Sequence, residues 1–347
     1  MLDFMKETKS SWEKIKDSGL PVVIYGMGNG ADKVIDEFNR LEIPVAGVTA
    51  SDDFVRGQSF RGFKVKKLSE FEGEFIIAVA FASCIPEVMN RIYSLALSCR
   101  VLVPCVPVFG DEIFNREFID KNKEKIEFAY NLFEDDSKEI FAGCVDFMFG
   151  GELETLENIT TSKEEVFENI LKFSTDEIYL DLGAYRGDTV EEFLSYSDGY
   201  KEIIAVEPDR RTFKKLTDYL ESVPNSTAYQ KAVYSEKKTL VFSSKAGRQS
   251  TISDKGEEIE TLTVDELSAD RVITYIKMDV EGAEKEAIEG AVNTLKNQKP
   301  KLNIALYHRS GDIFELPLLI AKINPDYKFR LRRHPYIPCW DMNLYCV

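Results

Sequence analysis

The sequence predicts an α/β chain built on two parallel, doubly wound sheets, a smaller one first and a larger one after it. Apolar runs at Val22–Tyr25 and Ile178–Leu180 are each followed by a glycine-bearing turn and a helical stretch, the local order of a parallel sheet. In the later half, strands expected near residues 178, 203, 227, 272, 301, 328 and 341 alternate mostly with helical stretches. The last two, Lys328–Arg333 and Asp341–Val347, are joined by the proline-bearing Pro335–Pro338, which fits a closing antiparallel pair.

The elements follow in order. An amphipathic opening helix has Leu2, Met5, Trp12 and Ile15 as candidate buried positions, and the strand Val22–Tyr25 comes next. Gly26-Met-Gly28-Asn-Gly30 opens a helix with Val34, Ile35 and Phe38 on its apolar stripe, and Ile43–Thr49 is a second strand ending near Asp52 and Asp53, a Rossmann-type βαβ unit. Such a loop can bind a nucleotide or nucleotide-sugar, and a docking or dimerisation module explains the same residues. Phe75–Ala80, a helix over Pro86–Leu97 and Val101–Val103 complete a first domain, 1–110. Residues 111–175 turn helical and charge-rich, as in Asn115–Phe133 and Lys163–Phe173, and read as a connector. The second domain is 176–347; within it Thr239–Ser243 and Glu258–Leu262 are expected as a hairpin around the polar loop Lys245–Thr251.

The second domain carries the chemistry. Ile178–Leu180 and Ile203–Val206 each lead to a carboxylate, Asp181 and Glu207. Gly183, Ala184 and Gly187 let the chain turn tightly into a helix near Asp188, leaving bare backbone for a ligand. Glu207, delivered beside that turn, can accept hydrogen bonds from both hydroxyls of a ribose. A dinucleotide fingerprint would read Gly-x-Gly-x-x-Gly and seat a pyrophosphate on a helix N-terminus. Here Gly183-Ala-Tyr-Arg-Gly187 is flanked by Asp181 and Asp188, which repel a pyrophosphate and suit an ammonium or sulfonium. S-adenosylmethionine fits these residues better than NAD.

Lys231-Ala-Val, Thr263–Leu267, Asp279-Val-Glu-Gly-Ala-Glu284, Gly290-Ala and Tyr307-His308 follow in order. With Asp181-Leu-Gly and Val206-Glu-Pro, they resemble the FkbM family of S-adenosylmethionine-dependent methyltransferases over roughly residues 176 to 347. The resemblance implies a Rossmann-like class I methyltransferase sheet of seven strands whose last pair is antiparallel. It also implies that Asp181, Gly183, Ala184, Tyr185 and Asp188 contact the methionine and ribose side of the cofactor, Glu207 the ribose, Pro208 and Asp209 the adenine edge, and Lys231 and Ala232 its far face. Tyr185 and Arg186 stand where the family commonly has Asn-Ile or Asn-Val.

Methyl transfer from a sulfonium is an in-line displacement, so a nucleophile must be aligned and, for an alcohol, deprotonated. Asp279, Glu281 and His308 fall at the carboxyl ends of strands, where such groups converge. His308 closes the strand Leu302–Tyr307, and an ordinary imidazole pKa near 6.5 makes it the first choice as general base. The alternative is a histidine bonded to a backbone carbonyl. Asp279 is expected to fix the cofactor's methionine end, orient the acceptor or serve as base, and capping the helix after Val280 is compatible with each. Two carboxylates, Asp279 and Glu281, do not suffice to assign a metal. Arg248–Thr251 is placed over the acceptor, and Arg309, Asp312 and the stripe Lys328-x-Arg330-x-Arg332-Arg333 are candidates to read its polar groups; a solvated strand of alternating charge is the alternative for the stripe. His334 is expected at a solvated strand edge.

The expectation is an O-methyltransferase acting on a hydroxyl of a sugar in a surface glycan or its nucleotide-linked precursor. Its rivals are a nicotinamide-dependent oxidoreductase built on residues 22–53 and a protein that binds the cofactor without transferring the methyl. A net charge of −16 over 347 residues disfavours nucleic acid and anionic membrane as partners. The six cysteines are scattered without metal-ligand spacing and read as reduced thiols, and no apolar run is long enough to cross a bilayer. A cytoplasmic location is therefore expected, with a homo-oligomer left open.

Overall fold

The computed structural model describes residues 2–245, 249–252 and 257–347, those from 242 to 257 by their backbone alone. It divides into two compact units: Met1–Tyr130 with Asp135–Thr161 and Arg333–Met342, and Asn131–Glu134 with Ser162–Arg332 and Asn343–Val347. These bounds differ from a division at 110 and 175. The helices Arg116–Leu132, Asp135–Gly150 and Leu153–Asn158 group almost wholly with the first unit, and Phe118, Ile126, Phe141, Phe147 and Leu156 on them are buried. Their apolar stripes are covered within that unit.

In the first unit the opening helix begins only at Ser11, where Ser10 and Glu13 form a capping box that satisfies otherwise orphaned backbone N–H groups. Its sheet runs in the order Ser59–Phe60, Phe63–Lys66, Val45–Thr49, Val22–Tyr25, Ile76–Val79, Arg100–Leu102. All neighbours are parallel except the first pair. The short strands at 59–60 and 63–66 have no counterpart in the sequence reading, because Phe-Lys-Val-Lys is too short and too polar to stand out from a loop. Trp12, Ile15, Ile24, Val34, Phe38, Ile76 and Leu102 form the core around this sheet.

The second unit is built on a seven-stranded sheet. Numbered along the chain, its strands are Ile178–Leu182, Glu202–Val206, Ser226–Tyr229, Tyr275–Met278, Lys301–Ala305, Phe329–Arg333 and Met342–Cys346, and they lie in the order third, second, first, fourth, fifth, seventh, sixth. The first five in that spatial order pair in parallel, and Met342–Cys346 runs antiparallel to Lys301–Ala305. Tyr179, Phe193, Ile203, Leu216, Tyr275 and Tyr345 fill one core with Phe167. A separate four-stranded sheet joins Ala232–Val233, Glu257–Leu262, Thr239–Lys245 and Gln249–Ile252. The expected hairpin is thus present, but the polar loop is itself partly strand, since Gln249–Ile252 folds back antiparallel on Phe242–Lys245. Arg248, placed by the sequence over the acceptor, lies outside the described residues.

Phe193 is 1% exposed and lies within 4.8 Å, ring to ring, of both Phe173 and Tyr179. Phe193→Ala should therefore cost the second unit about 3–5 kcal/mol, read as a lower urea midpoint at unchanged slope.

Candidate active site

The first two strands of the larger sheet end side by side. Asp181 and Ala205 are register partners, as are Leu182 and Val206, so the chain leaves both strands at one edge. The turn after the first strand is tied to the second by bonds from the Gly183 and Ala184 N–H groups to the Val206 carbonyl. Gly183 has φ 80°, and a Cβ there would overlap the Asp279 carbonyl oxygen. The glycine therefore admits the neighbouring strand end. Gly187, with φ 91°, leaves room for the Tyr219 ring.

Glu207 is buried and accepts from the Tyr185 N–H at 2.9 Å, the Asp209 N–H at 2.9 Å and the Thr212 hydroxyl at 2.9 Å. A carboxylate offers about four acceptor positions, so one remains for a ligand hydroxyl. Burial raises the Glu207 carboxyl to about 7 in spite of these donors. Asp181 is fully buried, bonded by the Thr189 hydroxyl on one oxygen, and its Oδ1 has no hydrogen-bond partner among the described residues. Burial pushes it to about 6, with Lys277 and Thr189 pulling the other way. An orphaned buried carboxylate oxygen beside a carboxylate with one free acceptor position is the donor-seeking environment that a cationic nucleoside requires.

Among the remaining cofactor-side candidates, Tyr185 sits in a left-handed conformation, φ 48°, with the Arg186 guanidinium 4.8 Å from its ring centroid. Asp188 is exposed at the first position of the helix Asp188–Tyr196. Asp209 caps the helix Arg210–Leu220 by accepting from Arg211 and Thr212 N–H groups, while its own N–H donates to Glu207 and its carbonyl accepts from the Phe213 N–H. Pro208 is half-buried beside it, Ala232 is buried, and the Lys231 ammonium is engaged by Glu260 at 2.9 Å.

A second cluster forms where the fourth and fifth strands end. His308 is buried, its Nδ1 2.9 Å from Glu284 Oε1, and its Nε2 is 3.5 Å from both Asp279 Oδ1 and Glu281 Oε2. Glu284 is sealed as well and also accepts from the Val280 N–H at 2.9 Å. Burial works against charge on the imidazole, but Glu284, Asp279 and Glu281 outweigh it and raise His308 to about 10. That retained proton weighs against the role of general base expected for His308 from the sequence. Asp279 accepts from the Tyr307 hydroxyl at 3.1 Å and faces Lys277 at 3.6 Å; despite burial, Lys277 and His308 hold its carboxyl below the usual range. Glu281, in a left-handed conformation, is pushed by burial to about 8. Asp279, Glu284 and His308 bring ligand atoms within 4.8 Å of one another, close enough for a cation, and the His308 imidazolium already supplies one positive charge there.

Other candidates are spent on structure. Arg332 is buried against Glu165 at 2.8 Å, and Arg333 donates to the carbonyls of Leu156 and Tyr336 and to Thr160, so these two arginines of the basic stripe are engaged internally, while Lys328 is exposed. His334 is buried, its Nδ1 3.1 Å from the Thr161 carbonyl, not at a solvated edge. Asp312 is buried and accepts from the Arg309 N–H at 2.7 Å, while Arg309 is exposed. In the first unit, the Gly26–Gly30 turn leads into the helix Asn29–Arg40, and Asp52 and Asp53 are exposed on a short turn. Thr189, Thr212, Lys277 and Glu284 escaped the sequence reading; Lys277 and Glu284 flank Asp279 at the spacings of a strand and a turn, a signal that was there to use.

This strand order, with carboxylates closing its first, second and fourth strands, defines the larger sheet as a Rossmann-like methyltransferase fold. Residues 181–331 match the methyltransferase FkbM domain, and the C-terminal unit is an S-adenosylmethionine-dependent methyltransferase. The crystal structure of methyltransferase FkbM from Methylobacillus flagellatus KT covers 99% of this chain and 95% of its own, with a TM-score of 0.73 at 19% identity, and establishes the same fold. Precorrin-6y C5,15-methyltransferase from Geobacter metallireducens GS-15 covers 55% of this chain and 94% of its own at 11% identity, with a TM-score of 0.35. A SAM dependent methyltransferase from Aquifex aeolicus covers 56% and 97% at 12% identity, with a TM-score of 0.31. No curated protein matches the sequence. Among the described residues no helix is long and apolar enough to cross a membrane.

The raised groups set a pH dependence. Asp181 at about 6, Glu207 at about 7, Glu281 at about 8 and His308 at about 10 all bind protons more tightly folded than unfolded. Each stabilises the fold fully below its unfolded pKa and loses that contribution as pH rises through the folded value; Asp279, shifted down, acts oppositely in acid. Without ligand, the melting temperature of the second unit should therefore be highest near about pH 5 and fall steadily to about pH 9, as followed by calorimetry across that range.

Proposed function

We propose that the C-terminal unit methylates a hydroxyl group of a sugar, free, nucleotide-linked or within a surface glycan, with Asp279 as the group that orients and deprotonates it. S-adenosylmethionine supplies an electrophilic methyl on a sulfonium. Glu207 accepts from a ribose hydroxyl with its remaining position, and Asp181, one of whose oxygens has no partner among the described residues, takes the cationic side. Gly183, Ala184, Tyr185 and Asp188 form the turn on that side, and Pro208, Asp209, Lys231 and Ala232 border the base.

The observation that carries the reading is the state of Asp279. Its side chain is 30% exposed, whereas those of His308 and Glu284 are 2% and 1% exposed, and it is held ionised between Lys277, Tyr307 and the His308 imidazolium. An ionised, accessible carboxylate accepts the hydroxyl's hydrogen bond and then its proton as the new C–O bond makes that proton acidic. Glu281, at about 8, keeps its proton at neutral pH and donates to an acceptor oxygen. His308 acts through its charge on Asp279. The groups at the rim, Tyr307, Glu281 and Arg309, form hydrogen bonds rather than an apolar wall, which suits a polyhydroxylated acceptor. Six free thiols suit the reducing cytoplasm, where nucleotide-linked sugars are made.

Release of S-adenosylhomocysteine over a panel of sugars, nucleotide-sugars, amines and carboxylic acids tests the reading; turnover confined to amines or carboxylic acids would overturn it. With an accepted hydroxyl, Asp279→Asn should lower kcat/KM by about 10²–10⁴ while changing cofactor affinity little. Glu207→Gln should instead weaken cofactor binding by about tenfold or more, measured by titration calorimetry.

A further inference from the structure

We propose that Lys277 is a positioning residue, the shared counter-ion that keeps Asp181 on the cofactor side and Asp279 on the acceptor side ionised and aimed. Lys277 lies in the fourth strand directly opposite Asp181 of the first, and register partners project from the same face. Asp279 follows two residues on, just past the end of that strand at Met278. The Lys277 ammonium is 3.6 Å from Asp279 Oδ2, and its side chain is 12% exposed. Its other register partner, Asn303, is neutral. The charged groups that face it are Asp279, Asp181, Asp188 and Glu192, all acidic; burial works against its charge, and they keep it protonated. In return, Lys277 is the strongest influence lowering both Asp181 and Asp279. One buried ammonium thus links the two halves of the site. The inference rests on the placement of Asp181 beside the cofactor argued above.

The test compares the unsubstituted protein, Lys277→Met and Lys277→Arg by calorimetric titration with S-adenosylmethionine from pH 6 to pH 9. Without the ammonium, Asp181 holds its proton to higher pH, and each unit of that shift weakens binding about tenfold below the new value. Lys277→Met is expected to bind at least about tenfold more weakly at pH 6, with the gap closing towards pH 9, and to show an added infrared band of a protonated carboxyl at neutral pH. Lys277→Arg should restore most of the affinity. A gap that is the same at every pH, or affinity within about twofold of the unsubstituted protein at pH 6, overturns the proposal. If Lys277→Met does not fold, the Lys277 ζ-nitrogen resonance of the unsubstituted protein decides. An ammonium that persists to pH 10 and shifts as Asp181 titrates supports the role, and loss of its proton below pH 9 overturns it. Failure of the unsubstituted protein to bind the cofactor when Asp181→Asn binds it would instead sink the placement of Asp181 itself.

Discussion

A carboxylate taken out of water destabilises a fold by several kcal/mol unless a cation or a set of donors meets it. The C-terminal unit buries Asp181, Glu207, Glu284 and Asp312, and Asp279 stands among them only partly exposed. Each is met differently. Glu207 takes two backbone N–H groups and a hydroxyl, Glu284 takes an imidazole and a backbone N–H, and Asp279 lies between an ammonium, a phenol and an imidazolium. Asp181 is left with one oxygen unmatched among the described residues. The rest of the sheet edge, its turns and its left-handed residues, serves to bring these partners together.

That arrangement explains why the two histidines of the chain have such different parts from those their sequence context implied. His308 sits at the end of a parallel strand, as expected, but three carboxylates from the loop after the neighbouring strand surround it and hold its proton. A histidine so charged acts on Asp279 through its field and helps to hold that carboxylate ionised. His334 follows Arg333 out of the sixth strand into the segment Arg333–Met342, which groups with the first unit, and it is buried there against a backbone carbonyl. Arg332 and Arg333 are likewise consumed by internal acceptors, which leaves only Lys328 and Arg330 of the basic stripe towards the surface.

Much of the fold was legible before the structure. Apolar runs bounded by Gly183 and Gly187, and by Glu207-Pro208, mark parallel strands because such strands are covered on both faces and read as continuous apolar segments. The closing antiparallel strand and the small hairpin sheet were also visible, from the proline-bearing link and the paired β-rich segments. The strands at 59–60 and 63–66 were not, since a short polar edge strand has no periodicity to read. Nor was the allocation of the middle helices and of Arg333–Met342 to the first unit, which depends on where their apolar side chains find cover.

Sequence alone determined the class of sheet, the carboxylates that close its strands and the preference for a cationic nucleoside, because these follow from order, spacing and charge sign along the chain. Tertiary structure decided the protonation states and the partners: that Glu284 grips His308, that Lys277 stands opposite Asp181, and that Gly183 makes room for the Asp279 carbonyl. The physical reason is that a pKa depends on burial and on charges a few ångströms away, and those neighbours come from strands about 100 residues apart in the chain, brought together only by sheet register.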